Sequence, residues 1–377
     1  MASNDPRPVL ILNTGSSTFK WALLSDDEQF VGTGSEEWEA EDALTRKAQI
    51  EARLRAIPPC KAVGHRIVQG GLVFEDSVVV DDSVRRELEK LLTLDLLHMR
   101  PALSALDAAR DAFPQALHVA AFDTAFHRTL SKAAAGYALP TEWTQKWGLR
   151  RFGFHGLSVS WSVDWARRNL QPFPRRLVVA HLGSGCSVTA VLDGRSVDTS
   201  MGFTPLEGMM MGTRSGTVDP GLLLHLQTHL GVSALELEDV LTNRSGLLGV
   251  SGISADIREV LKAADEGNSN AWLAYDRFIF SGRRAVGAAA GVMGGVDALV
   301  FTGGIGEHNA RVRHDLAAAF EGLDLDSSAA GDEGLISSPS SRIRAAVVKA
   351  REDLVLLREV RRLSTSALPE GRPALGQ

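Results

Sequence analysis

The chain has 377 residues, 44% of them hydrophobic and 23% charged, and a formal net charge of −6 at neutral pH. That length accommodates two domains of ordinary size, and the acidic balance lacks the basic footprint of a nucleic-acid binder. The first seven residues are polar and include Pro6, and the most apolar stretch, 285–296, is too short to span a bilayer, so neither a signal-peptide core nor a membrane partner is expected.

In chain order, residues 9–24 read as a hairpin: an apolar run, a Gly15-Ser16 turn, and a second apolar-rich run. Residues 25–55 are acidic and mixed. His65 to Gly71 reads as a strand running into a glycine turn. Residues 83–112 have helical spacing of Leu and Ala, with an interruption expected at Arg100-Pro101. Leu117 to Phe122 is a short strand ending at Asp123. Cys60 and Cys186, far apart, read as buried small hydrophobes of a reducing, cytoplasmic compartment. Residues 141–156, rich in Trp, Arg, Gly and Phe, read as a loop at a domain junction. The second half opens at Arg176 with another apolar run, a Gly183-Ser184 turn, and a further strand. Residues 196–220 read mostly as loop, and such a long loop in a compact domain is usually functional.

Helices are expected near 220–230, 234–242, 255–265 and 270–294. In the last, Gly287, Gly291, Gly294 and Gly295 would permit close helix–sheet approach. Val296 to Phe301 is a strand entering Gly303-Gly304-Ile305-Gly306; 343–348 is a strand and 351–363 a helix. The implied organisation is an N-terminal domain 1–145, a C-terminal domain 146–351, a helix of about 352–365 packing back on the first, and a disordered tail 366–377.

The repeat is the informative feature. Overlaying Gly15 on Gly183 matches the two turns, which says that two related halves each begin strand, turn, strand. Gly/Ser turns expose N–H groups and hydroxyls that bind anions. Neither turn is followed by the helix that a Rossmann or P-loop motif requires. Taken alone, each is as consistent with an ordinary hairpin. Together, and with the late strand–Gly-loop–helix, they form the pattern of an α/β protein of two actin-like (ribonuclease H-like) domains. In that pattern the hairpin loops hold phosphates in an interdomain active-site cleft.

The run from Asp198 to Gly216, with Gly202-Phe203-Thr204-Pro205-Leu206-Glu207-Gly208 at its centre, closely resembles the signature of acetate kinases. Asn13 to Lys20, Gly64-His65-Arg66, Phe122 to His127, Arg151 to Gly156, Ser245 to Gly252 and Phe301 to Glu307 agree in order. The resemblance extends from about residue 9 to about 360. It implies transfer of the ATP γ-phosphoryl group to acetate, giving acetyl phosphate and ADP, with Mg²⁺ or Mn²⁺, in a homodimer.

A carboxylate acceptor is already ionised at neutral pH, so the chemistry calls for cations and positioning more than for a base. By resemblance, Arg66 and Arg214 face the acetate and the transferring phosphoryl group, where a guanidinium fork suits both anions. His155 donates to the phosphoryl group. Asp123 is essential, in an orienting role toward Arg66 or the metal waters. Asn13 and Glu352 are the magnesium-side residues. Ser16, Thr18 and Lys20 line the first phosphate turn; His181, Gly183, Ser184 and Gly185 line the second. Asp256, Ile257, Arg258, Gly304 and Ile305 surround the nucleoside. Val68, Leu97, Phe154 and Pro205 form the acyl pocket, with His98 beside the substrate; a valine at 68 favours acetate over propionate.

The chain departs from the family pattern at Ser184, usually Asn; at Gln69, usually His; at Met99-Arg100, usually Asn-Pro; and at Val159, usually His. The departure at Ser184 bears most on nucleotide affinity. Two other readings stand beside acetate kinase: a propionate or butyrate kinase of the same family, and a non-catalytic actin-like nucleotide-binding protein.

Overall fold

The structure is a computed structural model that describes residues 6–15, 18–37, 43–94, 96–326 and 332–366; the side chains of 43, 44, 96–98 and 366 lie outside that description, as does the tail from 367. It divides into two compact units, Met1–Ala125 with Arg351–Gln377, and Phe126–Ala350. Residues 126–145, placed with the N-terminal half on sequence, cluster with the second unit. Their side chains bond there: His127 reaches Ser196 Oγ and the Phe154 carbonyl, and the Tyr137 hydroxyl reaches Glu207.

The first unit holds β1 (Val9–Thr14), β2 (Thr18–Leu24), β3 (Phe30–Glu37), α1 (Ala43–Leu54), β4 (Ala62–Ile67), β5 (Val78–Val79), α2 (Asp82–Lys90), α3 (Leu96–Ala112), β6 (Leu117–Phe122) and the C-terminal helix Glu352–Ser366. Its sheet runs β3-β2-β1-β4-β6-β5. β1 is antiparallel to β2 and parallel to β4, and β4 is parallel to β6. Central parallel strands are covered on both faces, which explains the unbroken apolar run Val9-Leu10-Ile11-Leu12. Leu10 and Leu12 pack with Ile50 and Leu54 of α1 and Ala105, Ala108 and Ala109 of α3. The opposite face takes the C-terminal helix. There Gly64 is required: a Cβ would stand 2.8 Å from Ile11 Cδ1 and 3.1 Å from Val360 Cγ2.

The second unit holds α4 (Lys132–Ala135), α5 (Thr141–Trp147), α6 (Gly156–Asn169), β7 (Arg176–Leu182), β8 (Cys186–Leu192), β9 (Arg195–Thr199), α7 (Pro220–Leu230), α8 (Ala234–Asn243), α9 (Gly246–Ser251), α10 (Ile257–Asp265), α11 (Ser269–Val292), β10 (Ala298–Thr302), α12 (Gly303–His308), α13 (Ala310–Ala317), β11 (Gly334–Leu335) and β12 (Arg344–Val347). Its sheet, β11-β12-β10-β7-β8-β9, repeats the first strand for strand. β7 is antiparallel to β8 and parallel to β10, and a short antiparallel edge strand follows in both sheets. The repeat is not perfect at the turn. Thr14 pairs with Phe19, whereas Leu182 pairs with Cys186, so the first turn is one residue longer.

Several expectations change. Pro101 lies inside α3 and does not break it. A proline removes one backbone bond, and the burial of Ala102, Leu103, Ala105 and Leu106 outweighs that loss. The interruption falls earlier, at the 3-10 turn Leu91–Thr93. Residues 25–55 contain β3 and α1, and 141–156 contains α5, ended by Gly148 in the left-handed region (φ 62°). Gly287 and Gly291 do not face the sheet: a Cβ at either would meet open space. The core-facing side of α11 carries Phe278, Ile279, Gly282, Val286 and Ala289, and the close approach is at Gly282, against Leu316.

Candidate functional site

In each unit, some of the expected site residues come together. In the first, Arg66 sits near the end of β4, Asp123 directly follows β6, Asn13 is the penultimate residue of β1, and Glu352 opens the C-terminal helix. Parallel β1, β4 and β6 bring their ends together, so residues far apart in sequence become neighbours. Arg66 Nε donates to Asp123 Oδ1 at 2.9 Å and Nη2 to Oδ2 at 2.6 Å, a fork-to-fork pair. Arg66 Nη1 donates to Asn13 Oδ1 at 2.9 Å, and Asn13 Nδ2 donates to Glu352 Oε2 at 3.0 Å. Glu352 Oε2 also lies 3.7 Å from Arg66 Nε. Asp123 is buried at 1% exposure.

Burial opposes the charge on Arg66, but Asp123 and Glu352 outweigh it and hold the guanidinium ionised. Glu352 is pushed above the usual carboxylate range, by burial first, with Arg66 pulling the other way. Asp353 is raised too, chiefly by burial. This cluster is short of positive charge. Lys20, opposite Asn13 across the β1–β2 ladder and exposed, faces the same deficit.

Among the described residues, no three His, Cys, Asp or Glu side chains converge as a metal cage. Asn13 and Glu352 nonetheless fit a hard cation of the magnesium type, which takes one or two carboxylates and fills its shell with water and phosphate. The observation that supports this fit is the pairing of the two side chains, Asn13 Nδ2 to Glu352 Oε2 at 3.0 Å, which sets a carboxylate beside an amide where β1 ends and the C-terminal helix begins.

Thr18 begins β2, and its carbonyl accepts from Gly15 N at 2.8 Å, closing the first turn; Ser16 lies outside the described residues. Val68 is buried just beyond β4. Leu97 and His98 fall in the first turn of α3, with side chains outside the description.

The second cluster surrounds the Gly183-Ser184-Gly185 turn. His155 adopts a left-handed conformation (φ 60°) at the start of α6, a costly backbone state for a non-glycine residue and a mark of functional sites. Its Nδ1 is 2.9 Å from Ser187 Oγ. The His155 ring stacks on His181, centroids 4.1 Å apart, and His181 Nδ1 is 2.8 Å from Ser158 Oγ. A Cβ at Gly185 would stand 3.5 Å from Arg214 Nη1 and 3.6 Å from His155 Nε2. The turn, the histidine and the arginine therefore share one space, and Gly185 leaves room in it. Arg214 Nη1 donates to the Pro205 carbonyl at 3.2 Å. Phe154 is buried. Ser184 is exposed, and its carbonyl accepts from Gly212 N at 3.1 Å.

Asp256 caps α10, accepting from Arg258 N at 2.9 Å, and forms an ion pair with Arg258; Ile257 is buried. Gly303 (φ 77°) packs its backbone against Leu182, while Gly304 faces open space beside Ile305, as a backbone approached by a ligand would. Of the residues at the four departures, Gln69, Met99 and Val159 are fully buried, and Arg100 and Ser184 are exposed. Sequence reasoning did not single out Ser158, Ser187, Arg151, Glu207 or Tyr137. Arg151 and Glu207 lay within matched motifs, and that was the available signal.

A duplicated sheet, with an open Gly turn in one copy and a carboxylate-locked arginine in the other, defines an actin-like phosphotransferase. The acetokinase family profile matches residues 39–358. The acetate kinase of Caldicellulosiruptor bescii is 36% identical, the match covering 94% of this chain and 99% of that one. The acetate kinase of Clavibacter michiganensis subsp. michiganensis is 40% identical, covering 93% and 98%. The crystal structure of Porphyromonas gingivalis acetate kinase superimposes with a TM-score of 0.84 at 33% identity, covering 94% and 98%. A propionate kinase from Francisella tularensis superimposes at 0.85 with the same identity and coverage. The chain belongs to the acetokinase family, kinases whose acceptor is a carboxyl group.

Proposed function

We propose that this chain is an acetate kinase that transfers the ATP γ-phosphoryl group to acetate in line and reversibly, giving acetyl phosphate and ADP. The observation that carries the reading is the convergence of Arg214 and His155 on Gly185. Phosphoryl transfer relies on positioning and on charge stabilisation at the phosphoryl oxygens. Arg214 supplies the cation. We assign the Ser187 hydroxyl as the donor to His155 Nδ1, 2.9 Å away, a tautomer that carries the proton on Nε2, the ring nitrogen that faces Gly185. Arg66 binds the acetate carboxylate. Asp123, both of whose oxygens are held by Arg66, orients that arginine; an ionised acceptor needs no base.

Thr18, Lys20, His181, Gly183, Ser184 and Gly185 serve the phosphates, with Ser16. Asp256, Ile257, Arg258, Gly304 and Ile305 serve the nucleoside. Val68, Leu97 and His98 of the first unit, and Phe154 and Pro205 of the second, are assigned to the acyl group by resemblance. Asn13 and Glu352 would hold Mg²⁺, whose chemistry is to neutralise the nucleotide phosphates. We place the protein in the cytoplasm, in keeping with two buried free thiols; among the described residues no helix is long and apolar enough to cross a membrane.

The homodimer reading comes from the family resemblance; the surface we assign to it is α7, which buries none of its residues and exposes Leu222, Leu224 and Leu230. Leu224→Glu is expected to halve the mass measured by light scattering; an unchanged mass removes α7 from the interface.

Hydroxylamine trapping with ATP, Mg²⁺ and a panel of short acids tests the activity. Acetyl hydroxamate in excess over propionyl hydroxamate is the expected result. One methylene is worth about 1–3 kcal/mol in such a pocket, so propionate should be a poor substrate. Product from propionate alone makes the chain a propionate kinase. ATP binding without product from any acid makes it a non-catalytic nucleotide binder.

A further inference from the structure

The loop between β9 and α7 carries Pro205 and Arg214, and its path is held by a set of bonds that touches no reacting atom. Arg151 Nη1 donates to three successive carbonyls, Thr199 at 3.1 Å, Ser200 at 3.2 Å and Met201 at 3.0 Å. Arg151 Nη2 donates to Glu207 Oε1 at 2.7 Å. Glu207 Oε2 accepts from the Tyr137 hydroxyl at 2.5 Å, and that oxygen in turn accepts from Phe203 N at 2.8 Å. Both ends of the segment 199–207 are thus tied to one guanidinium, and its middle is tied to one phenol. Gly202 sits at the crossing: a Cβ there would overlap the Glu207 carboxylate and the Tyr137 hydroxyl. Its carbonyl accepts from Phe152 N at 3.0 Å and Gly153 N at 3.3 Å. The same junction therefore sets the turn that delivers His155 and the loop whose Pro205 carbonyl holds Arg214.

We infer that Glu207, acting with Arg151 and Tyr137, is a positioning residue that fixes Arg214 and His155 against the second phosphate turn. This rests on reading Arg214 and His155 as contacts to the transferring group. Tyr137 offers a single proton to Glu207 and a single acceptor to Phe203 N, so each bond of the brace has one partner. Loss of either group removes a tie on the segment that carries Pro205 while the residues at the turn stay intact. A small displacement at a reacting centre costs on the order of 10²-fold in rate.

The test measures kcat, the KM for acetate and the KM for ATP, with thermal denaturation, on Glu207→Ala, Glu207→Gln, Tyr137→Phe, Arg214→Lys and the double variant Glu207→Ala/Arg214→Lys. Glu207→Ala should lower kcat by about 10- to 100-fold, with the KM for ATP within about twofold of the parent. Glu207→Gln, which keeps one acceptor, should recover part of the loss. Tyr137→Phe, which removes one oxygen from the brace, should lower kcat in the same sense and decides the matter if Glu207→Ala does not fold. In the double variant the Glu207 change should add little to the loss from Arg214→Lys, because both act on one group. Folded single variants with parental kcat, or a double variant whose losses multiply, overturn the inference. Parental turnover in Arg214→Lys overturns instead the placement of Arg214.

Discussion

Arg66 and Asp123 meet through two parallel hydrogen bonds, 2.9 and 2.6 Å, between neighbouring parallel strands. The pair makes Asp123 the support of Arg66: both carboxylate oxygens are directed at the guanidinium, and the group is buried.

Asp123→Asn keeps the size but replaces one acceptor with an N–H₂ that opposes Arg66. The expected result is a fall in kcat of about 10²-fold or more. Asp123→Ala, which leaves a desolvated arginine short of its partner, should also cost about 3–5 kcal/mol of stability, read from denaturant melts. Arg66→Lys retains charge but not the fork and should fail to restore turnover. Parental kcat in Asp123→Asn would remove the orienting role.

Ser184 is exposed in the turn and held by its backbone, Ser184 O to Gly212 N. Asparagine can therefore enter without disturbing the turn, and its amide reaches farther. Ser184→Asn is expected to lower the KM for ATP by about 10-fold, the worth of one hydrogen bond to a charged group, with the KM for acetate unchanged. An unaltered KM for ATP would count against a phosphate contact at this position.

His65 and His118 are buried on β4 and β6, with His65 Nε2 3.1 Å from His118 Nδ1 and His118 Nε2 3.2 Å from the Phe113 carbonyl. The carbonyl requires a proton on His118 Nε2, so neutral His118 accepts at Nδ1 and His65 donates from Nε2. Burial pulls both imidazoles below the ordinary value of 6.5, with His118 and Arg110 adding repulsion at His65 and Arg110 at His118. The unfolded chain then binds more protons than the folded one. Stability is complete above the unfolded value and falls as pH drops through it toward the folded values. Urea midpoints from pH 8 to pH 5 should show this decline, and His65→Leu/His118→Leu should flatten it. An equally steep decline in the double variant would assign the acid sensitivity elsewhere.

Gly287 lies inside α11 with open space at its Cβ position, whereas Gly282 would place a Cβ 2.6 Å from Leu316 Cδ2. Gly287→Ala should stabilise the protein by about 1 kcal/mol, the difference in helix propensity. Gly282→Ala should lose that gain to the clash. Denaturant midpoints of the two variants distinguish them, and equal shifts would contradict the packing described.

The strands and the main helices could be read from the sequence because local pattern dictates them. Val9-Leu10-Ile11-Leu12 and Leu177-Val178-Val179-Ala180 cannot be other than buried, and the Gly/Ser turns mark where each run reverses. Local pattern failed where context overrode it. Pro101 lies in a helix because its neighbours bury a face. The glycines of α11 could not be assigned to a face, since a residue without a side chain carries no hydrophobic signal. α5 was hidden by its aromatic and basic composition.

The sequence alone carried the duplicated strand–turn–strand pattern, which depends on residue types at short spacings, and its resemblance to the acetate kinases supplied the candidates Arg66, Asp123, His155 and Arg214. Only the tertiary structure decided what holds them. That Asp123 faces Arg66, that Gln69, Met99 and Val159 fall in the interior, and that Glu207 ties the Arg214 loop to Arg151 and Tyr137 all depend on contacts between strands and loops far apart in sequence. Hydrogen bonds and burial act through distance in space, and a one-dimensional pattern does not contain that distance until the chain is folded.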